Sequence, residues 1–487
     1  MNNRMIRYII SRILCIEIAF IFIPFLISFY YHESSTIKIA YTITMFFLLV
    51  VSFILSIKLP KNTRIYIKEG YFIVSISWIL MSLFAALPFF ISREIPSYID
   101  ALFEVVSGFS TTGASILNDI ERLPHSLLFL RSFTHFVGGI GVLVLAIAIF
   151  PKNNDEALNI MKAESSGPMY DKLVSRMSYN SRILYLIYIV IIIIVTILLK
   201  LGNMPLFDSI IHAFGTAGTG GFGSKNTSIS YYNSAYIEYV IGIGMIISGL
   251  NFNLFYWLLL KNFKQIYKNE EMRLYFKIII ISIILICINL YPQYKNISRL
   301  FRDVFFTVSS VITTTGFSTA DFDKWTAFSK IILFILMFIG GCAGSTAGGI
   351  KISRILILFK SIKGQMKRSA DPNRVTTIKI DGVPINKETF MKTTNYAILF
   401  ISVSLIFILM IAWDIPDIQS AFGAIAATIN GVGPGFGAYG PASNYSSLSG
   451  VSKIILSICM LIGRLEIIPI LILFSPSLYR RALKNNK

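Results

Sequence analysis

Ten runs in this chain are long and apolar enough to cross a bilayer, and that feature decides the class of fold. They cover residues 8–31, 39–57, 71–91, 127–150, 183–201, 235–260, 274–290, 328–359, 396–413 and 454–474. A transmembrane helix takes about 20 predominantly apolar residues. Composition agrees: 55% of the 487 residues are hydrophobic, 14% are charged, and mean hydropathy is +0.69. A soluble domain carries about a quarter charged residues. The sequence therefore predicts an all-α polytopic membrane protein. The opening stretch MNNRMIRYII runs into the first apolar segment without a small-residue cleavage site. It is read as a first span, not a removed signal peptide.

Net charge is +19, from 44 basic and 25 acidic residues. In a soluble protein that excess would suggest nucleic acid; here it collects in alternate connections. Arg4 and Arg7 precede the first span. Lys58, Lys61, Arg64 and Lys68 follow the second, and Lys162, Lys172 and Arg176 follow the fourth. Lys261, Lys264, Lys268 and Arg273 follow the sixth. Lys351 and Arg354 at the end of the eighth run, with Lys360, Lys363, Lys367 and Arg368 after it, begin the segment between eight and nine, and Arg480, Arg481, Lys484 and Lys487 end the chain. Residues 414–450 contain no lysine or arginine. By the positive-inside rule both termini and the basic connections are expected in the cytoplasm. No nucleic-acid partner is expected. Cys15, Cys287, Cys342 and Cys459 lie far apart in or beside apolar runs and read as packing residues.

The external connections after spans three, five, seven and nine share one grammar: IDALFEVVSGFSTTGAS, FDSIIHAFGTAGTGGFG, RDVFFTVSSVITTTGFS and IQSAFGAIAATINGVGPGFG. Asp100 to Gly113, Asp208 to Gly221, Asp303 to Gly316 and Ser420 to Gly433 are each 13 residues. Successive glycines lie 108, 95 and 117 apart. A period near one hundred marks an internal repeat. The expected organisation is two extra spans (1–69), then four span, pore-segment and span units at 70–160, 161–268, 269–375 and 376–487.

Each amphipathic stretch is too short to span. As a helix it reaches about 18 Å, roughly halfway through the bilayer. Asp100, Asp208, Asp303 and Ser420 fall where each helix should begin, suited to its exposed N–H groups. The far end then aims partial negative charge at the membrane middle, which favours a cation. Irregular backbone at that depth must be buried in protein or line water. Four glycine–threonine segments around an axis would make a ring of neutral oxygens, suited to a large, easily dehydrated monovalent cation. Taken singly, the same glycines could serve close helix packing; the fourfold recurrence favours the pore.

With its four units, two leading spans and the segments STTGAS, GTGGFG, TTTGFST and NGVGPGFG, the chain resembles the Trk-type potassium transporters, the TrkH membrane subunit of the TrkH/KtrB/HKT superfamily. The resemblance covers essentially the whole chain. It implies a potassium filter of Thr111, Thr112 and Gly113; Thr219, Gly220 and Gly221; Thr314, Thr315 and Gly316; and Gly431, Val432 and Gly433. Relatives with serine at the first filter position tend to admit sodium, so Gly113 implies potassium preference. Gly220 and Val432 stand where threonine is expected, implying fewer or weaker ion sites than in a symmetric channel. Potassium is implied as the transported ion, with no organic cofactor. A homodimer in a prokaryotic cytoplasmic (inner) membrane, with a cytoplasmic, nucleotide-binding TrkA-like subunit, is implied as the assembly.

Span eight contains GGCAGSTAGGIK, residues 340–351. Glycine costs about 1 kcal/mol against alanine inside a helix, so the cluster is read as a break between two half-helices, with a small-residue helix contact as the alternative. The resemblance implies a gate loop here, carried on Gly344, Ser345, Thr346, Ala347, Gly348 and Gly349. Arg464, inside span ten, is costly at membrane depth and marks function or a buried ion pair; the resemblance places it in the pore beneath the filter. Glu466 is two residues on and does not share its helix face.

Other residues carry weaker signals. Arg131 is expected either to snorkel outward or to brace the pore segments. His135 and His212 are read as packed or locally hydrogen-bonded, and Glu104 and Asp119 as charges at the pore mouth or on solvated surface. GTGGFGSK lacks the lysine directly after the last glycine that a phosphate loop needs. The expected activity is potassium uptake through a gated, channel-like pore. Symport coupled to sodium or protons is the alternative; it needs a titratable group in the path, where Glu238 and Glu466 lie near span ends or an arginine. An enzyme would need clustered Asp, Glu or His at a membrane face, and the external segments offer glycine and threonine.

Overall fold

The computed structural model describes residues 2–57, 60, 65–141, 177–373 and 377–473. The expected basic residues Lys58, Lys61, Arg64, Lys162, Lys172, Arg176, Arg480, Arg481, Lys484 and Lys487 lie outside the described residues, as does the second half of span four.

Among the described residues, six helices are long and apolar enough to cross a membrane: Asn3–Tyr30, Ser35–Ser56, Lys68–Ile91, Ile183–Leu201, Glu270–Gln293 and Lys387–Ile411. Their outward faces are apolar. Phe46, Phe53 and Ile54 on the second span and Ile280, Ile284 and Ile288 on the seventh are all more than half exposed. So large an apolar surface suits lipid rather than water. The first two spans pack on each other and against Ile67–Ala85, and the first also packs against His125–Ile140. Asn2 fixes the start of the first span: its Oδ1 accepts from Met5 N at 3.2 Å, and its N–H donates to Glu69 Oε1 at 2.6 Å.

Three expected spans are interrupted. Span six divides into Ala235–Ser248 and Phe252–Leu259, bent by 91°. Asn251 lies at the corner, and its side chain accepts from Asn253 N at 3.0 Å. Span eight divides into Ala327–Ile339 and Ile352–Ala370, as its glycine cluster predicts. Span ten stops at Arg464 and resumes as Ile468–Leu473. Glu466 and Ile467 between them have φ of 62° and 57°.

Span nine begins earlier than residue 396, because Asn386 caps it through Thr389 N at 2.9 Å. A two-stranded hairpin, Lys379–Ile380 paired with Val383–Pro384, precedes it. Two residues of the basic connection after span eight are not solvated loop charges. Lys351 and Arg354 are only 4% and 6% exposed. The glycine-rich loop folds back between its half-helices and takes both inside the protein, so the basic charge of that connection begins at Lys360.

Candidate functional site

Four short helices, Tyr98–Phe109, Leu206–Gly218, Ile297–Ile312 and Ile418–Asn430, occupy the predicted positions. The predicted capping residues do not cap them. Ser97, Asn296 and Asp417 do, and Pro205 precedes the second helix. Asp100, Asp208 and Ser420 sit at the third helical position, and Asp303 lies deeper still. Instead they tie each helix to other elements. Asp100 pairs with Lys453 Nζ at 2.7 Å. Asp208 accepts from the Tyr232 hydroxyl at 2.8 Å, and Asp303 from the Tyr294 hydroxyl at 3.2 Å. Ser420 Oγ accepts from Ala438 N at 2.8 Å.

Beyond each helix the backbone repeats itself bond for bond. Thr112 N donates to Ser107 O at 2.9 Å, and Gly220 N to Gly215 O at 2.9 Å. Thr315 N donates to Ser310 O at 2.8 Å, and Val432 N to Ala427 O at 2.7 Å. In every segment the preceding residue (Thr111, Thr219, Thr314, Gly431) and the following glycine (Gly113, Gly221, Gly316, Gly433) have positive φ, between 53° and 91°. A left-handed threonine costs on the order of 1 kcal/mol, and the shared bond to the helix end holds it there. The segments then close on one another. A Cβ on Gly113 would strike Gly220 O; one on Gly221, Thr315 O; one on Gly316, Val432 O; and one on Gly433, Thr112 O. All twelve predicted ring residues are thus gathered into one cycle, and only glycine fits its four contact points.

Several threonine hydroxyls are already engaged. Thr112 Oγ1 lies 2.7 Å from Ser110 Oγ, and Thr315 Oγ1 2.7 Å from Thr313 Oγ1. Thr219 Oγ1 donates to Gly218 O at 2.7 Å. The available ring oxygens are therefore chiefly backbone carbonyls.

Buried polar groups brace the ring. His135 Nδ1 bonds Gly108 O at 2.8 Å, and its Nε2 accepts from Phe222 N at 3.2 Å, so it links segments one and two as a neutral ring. His212 Nδ1 bonds Asp208 O at 2.7 Å within its own helix. Arg131 braces rather than snorkels. It lies 2.6 Å from Glu104 Oε1, donates to Gly223 O at 3.1 Å and stacks 3.5 Å above the Phe222 ring. Glu104 is therefore neither mouth charge nor surface: it is 1% exposed and also accepts from Ser115 Oγ and Ile116 N, both at 2.9 Å. Asp119 is a surface group, held below the usual carboxylate range by the Asn226 side chain. The Tyr445 hydroxyl donates to Gly433 O at 2.9 Å.

The loop of span eight packs against this ring. Ile350 N, Lys351 N and Ile352 N donate to Phe338 O, Ile339 O and Gly341 O at 2.9, 3.1 and 3.1 Å, closing its neck. Lys351 Nζ bonds Ala347 O inside it. Gly344 O accepts from Phe252 N at 3.1 Å, and Cys342 N donates to Gly249 O at 2.9 Å, so the loop docks on the corner of span six. Ser345 Oγ donates to Cys342 O at 2.6 Å. Thr346 Oγ1 donates to Ala217 O at 3.0 Å, and Gly348 N to the Thr314 hydroxyl at 2.7 Å. Gly349, with φ of 79°, turns the chain back toward the neck.

Arg464 joins the same assembly. It donates to Thr346 O at 2.8 Å, to Gly139 O at 2.7 Å and to Gly138 O. Glu466 pairs elsewhere, with Arg354 at 2.6 and 3.0 Å, and Arg354 stacks 3.9 Å over Tyr396. Sequence reasoning missed Glu271, whose Oε1 accepts from Ala343 N at 2.7 Å and Ser353 N at 3.1 Å. In the sequence NEEM it reads as an ordinary first-turn acid of span seven.

Fold and ring together define a polytopic membrane protein built around four helix-and-turn segments. The chain belongs to the TrkH family of cation transport proteins, whose profile matches residues 37–481. It is 34% identical to the Trk system potassium uptake protein TrkH of Escherichia coli (strain K12), covering 99% of this chain and 100% of that one. It is 33% identical to TrkG of the same strain, over 94% of each. The crystal structure of the potassium transporter TrkH from Vibrio parahaemolyticus superposes with a TM-score of 0.87 at 30% identity, over 98% of this chain and 99% of that one. This is a transport family, not an enzyme family.

Proposed function

We propose that the chain takes up potassium through a gated pore whose selectivity filter is the ring at Gly113, Gly221, Gly316 and Gly433. The observation that carries this reading is the fourfold recurrence of one hydrogen bond and one φ pattern in segments that close on each other. Such a ring offers backbone carbonyls in place of an ion's hydration shell. The four helices add the negative ends of their dipoles. The loop from Gly344 to Gly349, pinned by Arg464, is the gate. Entry down the membrane potential is favourable by about 2.3 kcal/mol per 100 mV for a monovalent cation. The relatives' names support potassium as the ion. The assembly we propose is a homodimer in the cytoplasmic membrane, both termini inside, with a cytoplasmic nucleotide-binding TrkA-like partner.

Symport coupled to sodium or protons is the second reading. Arg302 Nε lies 3.0 Å from Glu238 Oε2, Arg354 holds Glu466 and Arg131 holds Glu104. These paired carboxylates support uncoupled conduction. Buried Glu17, with neither oxygen partnered among the described residues, is carried by the first N-terminal span and not by the four units.

Gly316→Ser tests the filter assignment. Sodium entry relative to rubidium should rise in liposomes carrying the purified variant; an unchanged ratio contradicts the assignment.

A further inference from the structure

The cytoplasmic-side hairpin and the gate loop grip adjacent residues at one helix start. The hairpin turns through Asp381 and Gly382, with φ of 49° and 79°. Two central residues of positive φ in Asp-Gly form a tight, preorganised hairpin turn. Ile380 is 3% exposed and packs with Leu356 and Ile357, which fastens the hairpin to the second half of span eight. The tip is open: a Cβ on Gly382 would meet nothing within 4 Å.

Asp381 reaches across to the start of span seven. Its Oδ1 accepts from Glu270 N at 2.7 Å, and its Oδ2 from Asn269 Nδ2 at 3.2 Å. Glu270 answers by accepting from Asp381 N at 3.2 Å. Lys360 Nζ bonds Glu270 Oε2 and also Lys379 O, the latter at 2.6 Å. The next residue is Glu271, buried at 1% exposure, whose single oxygen Oε1 holds Ala343 N and Ser353 N. These are the entry to the loop and the first turn of the helix that leaves it. One carboxylate therefore fixes both ends of the loop, one peptide unit from the carboxylate that fixes the hairpin.

We infer that Glu271 is a positioning residue that couples the hairpin at residues 379–384 to the gate loop, so that a partner moving the exposed hairpin tip shifts the loop through the first turn of span seven. The inference rests on the loop being the gate. Coupling between distinct sites requires one element whose position both bias; here that element is the helix start at Asn269–Glu271.

The test is rubidium influx into liposomes containing the full chain alone. Glu271→Ala and Asp381→Ala should each raise basal influx by about thirtyfold, the middle of the usual coupling range. The double variant should rise no further than the larger single, because both cut one path. Glu271→Gln keeps an acceptor oxygen and should restore most of the closure; it also carries the test if Glu271→Ala does not purify. In a cysteine-depleted background, a thiol at Ser345→Cys should react faster with a membrane-impermeant reagent when Asp381→Ala is added, which mere loss of stability at the hairpin would not produce. Additive effects in the double variant, or unchanged Ser345→Cys reactivity, overturn the relay. Arg464→Ala is the control for the gate. If it raises influx while Glu271→Ala and Asp381→Ala do not, the relay falls and the gate stands. If all three are silent, the gate reading falls and the relay with it.

Discussion

The backbone N–H of Gly348 donates to the Thr314 hydroxyl at 2.7 Å, so the interrupted span eight is bonded directly to the third ring segment. Thr314 has φ of 54°, and that left-handed turn leaves its side chain free of the local pairing that Thr313 and Thr315 make with each other. One residue thus belongs to both the ring and the loop beneath it.

Thr314→Val keeps the side chain's shape and removes the acceptor. Loss of a hydrogen bond of this kind costs about 1 kcal/mol, and we expect the loop to loosen. Basal rubidium influx into liposomes should rise several-fold. Thr314→Ser should behave as the parent. Equal influx in parent and Thr314→Val would remove this contact from the gating account.

Backbone conformation and crowding can be separated by comparing two glycines. Gly221 and Gly382 have φ of 74° and 79°. Alanine at either pays for the left-handed conformation, about 1–2 kcal/mol. At Gly221 the added Cβ also meets Thr315 O, whereas at Gly382 it meets nothing within 4 Å. Melting in detergent should therefore fall clearly further for Gly221→Ala than for Gly382→Ala. Equal losses would mean that the ring is not closed at that point.

Much of this was legible in the chain, for definable reasons. Apolar run length marked the six uninterrupted spans, and the 13-residue spacing located all four turn glycines. It did not locate the caps, because Asp100, Asp208, Asp303 and Ser420 bond outside their own helices, to Lys453, Tyr232, Tyr294 and Ala438. Hydropathy could not see the breaks after Ser248 and Arg464, since both sides stay apolar. Glu271 and Arg354 looked like ordinary charges at a membrane face. Their partners, Ala343 and Glu466, lie 72 and 112 residues away. No local pattern carries such a pairing.

The buried pair Glu104 and Arg131 makes a sharper stability claim than any surface charge nearby. Arg131→Ala would leave Glu104 buried and uncompensated, which costs about 3–5 kcal/mol. We expect a large drop in melting temperature and in the yield of folded protein. Asp119→Asn, at an exposed carboxylate, should leave melting unchanged. Comparable losses in the two variants would contradict the bracing role of Arg131.

Influx without coupling gradients separates a channel-like potassium path from symport. Liposomes containing the purified chain are given a potassium gradient or an inside-negative potential, with sodium absent and pH equal on both sides. Potassium or rubidium should enter under these conditions, at a rate that follows the imposed potential. Influx that appears only when a sodium or pH gradient is added would contradict it and establish symport.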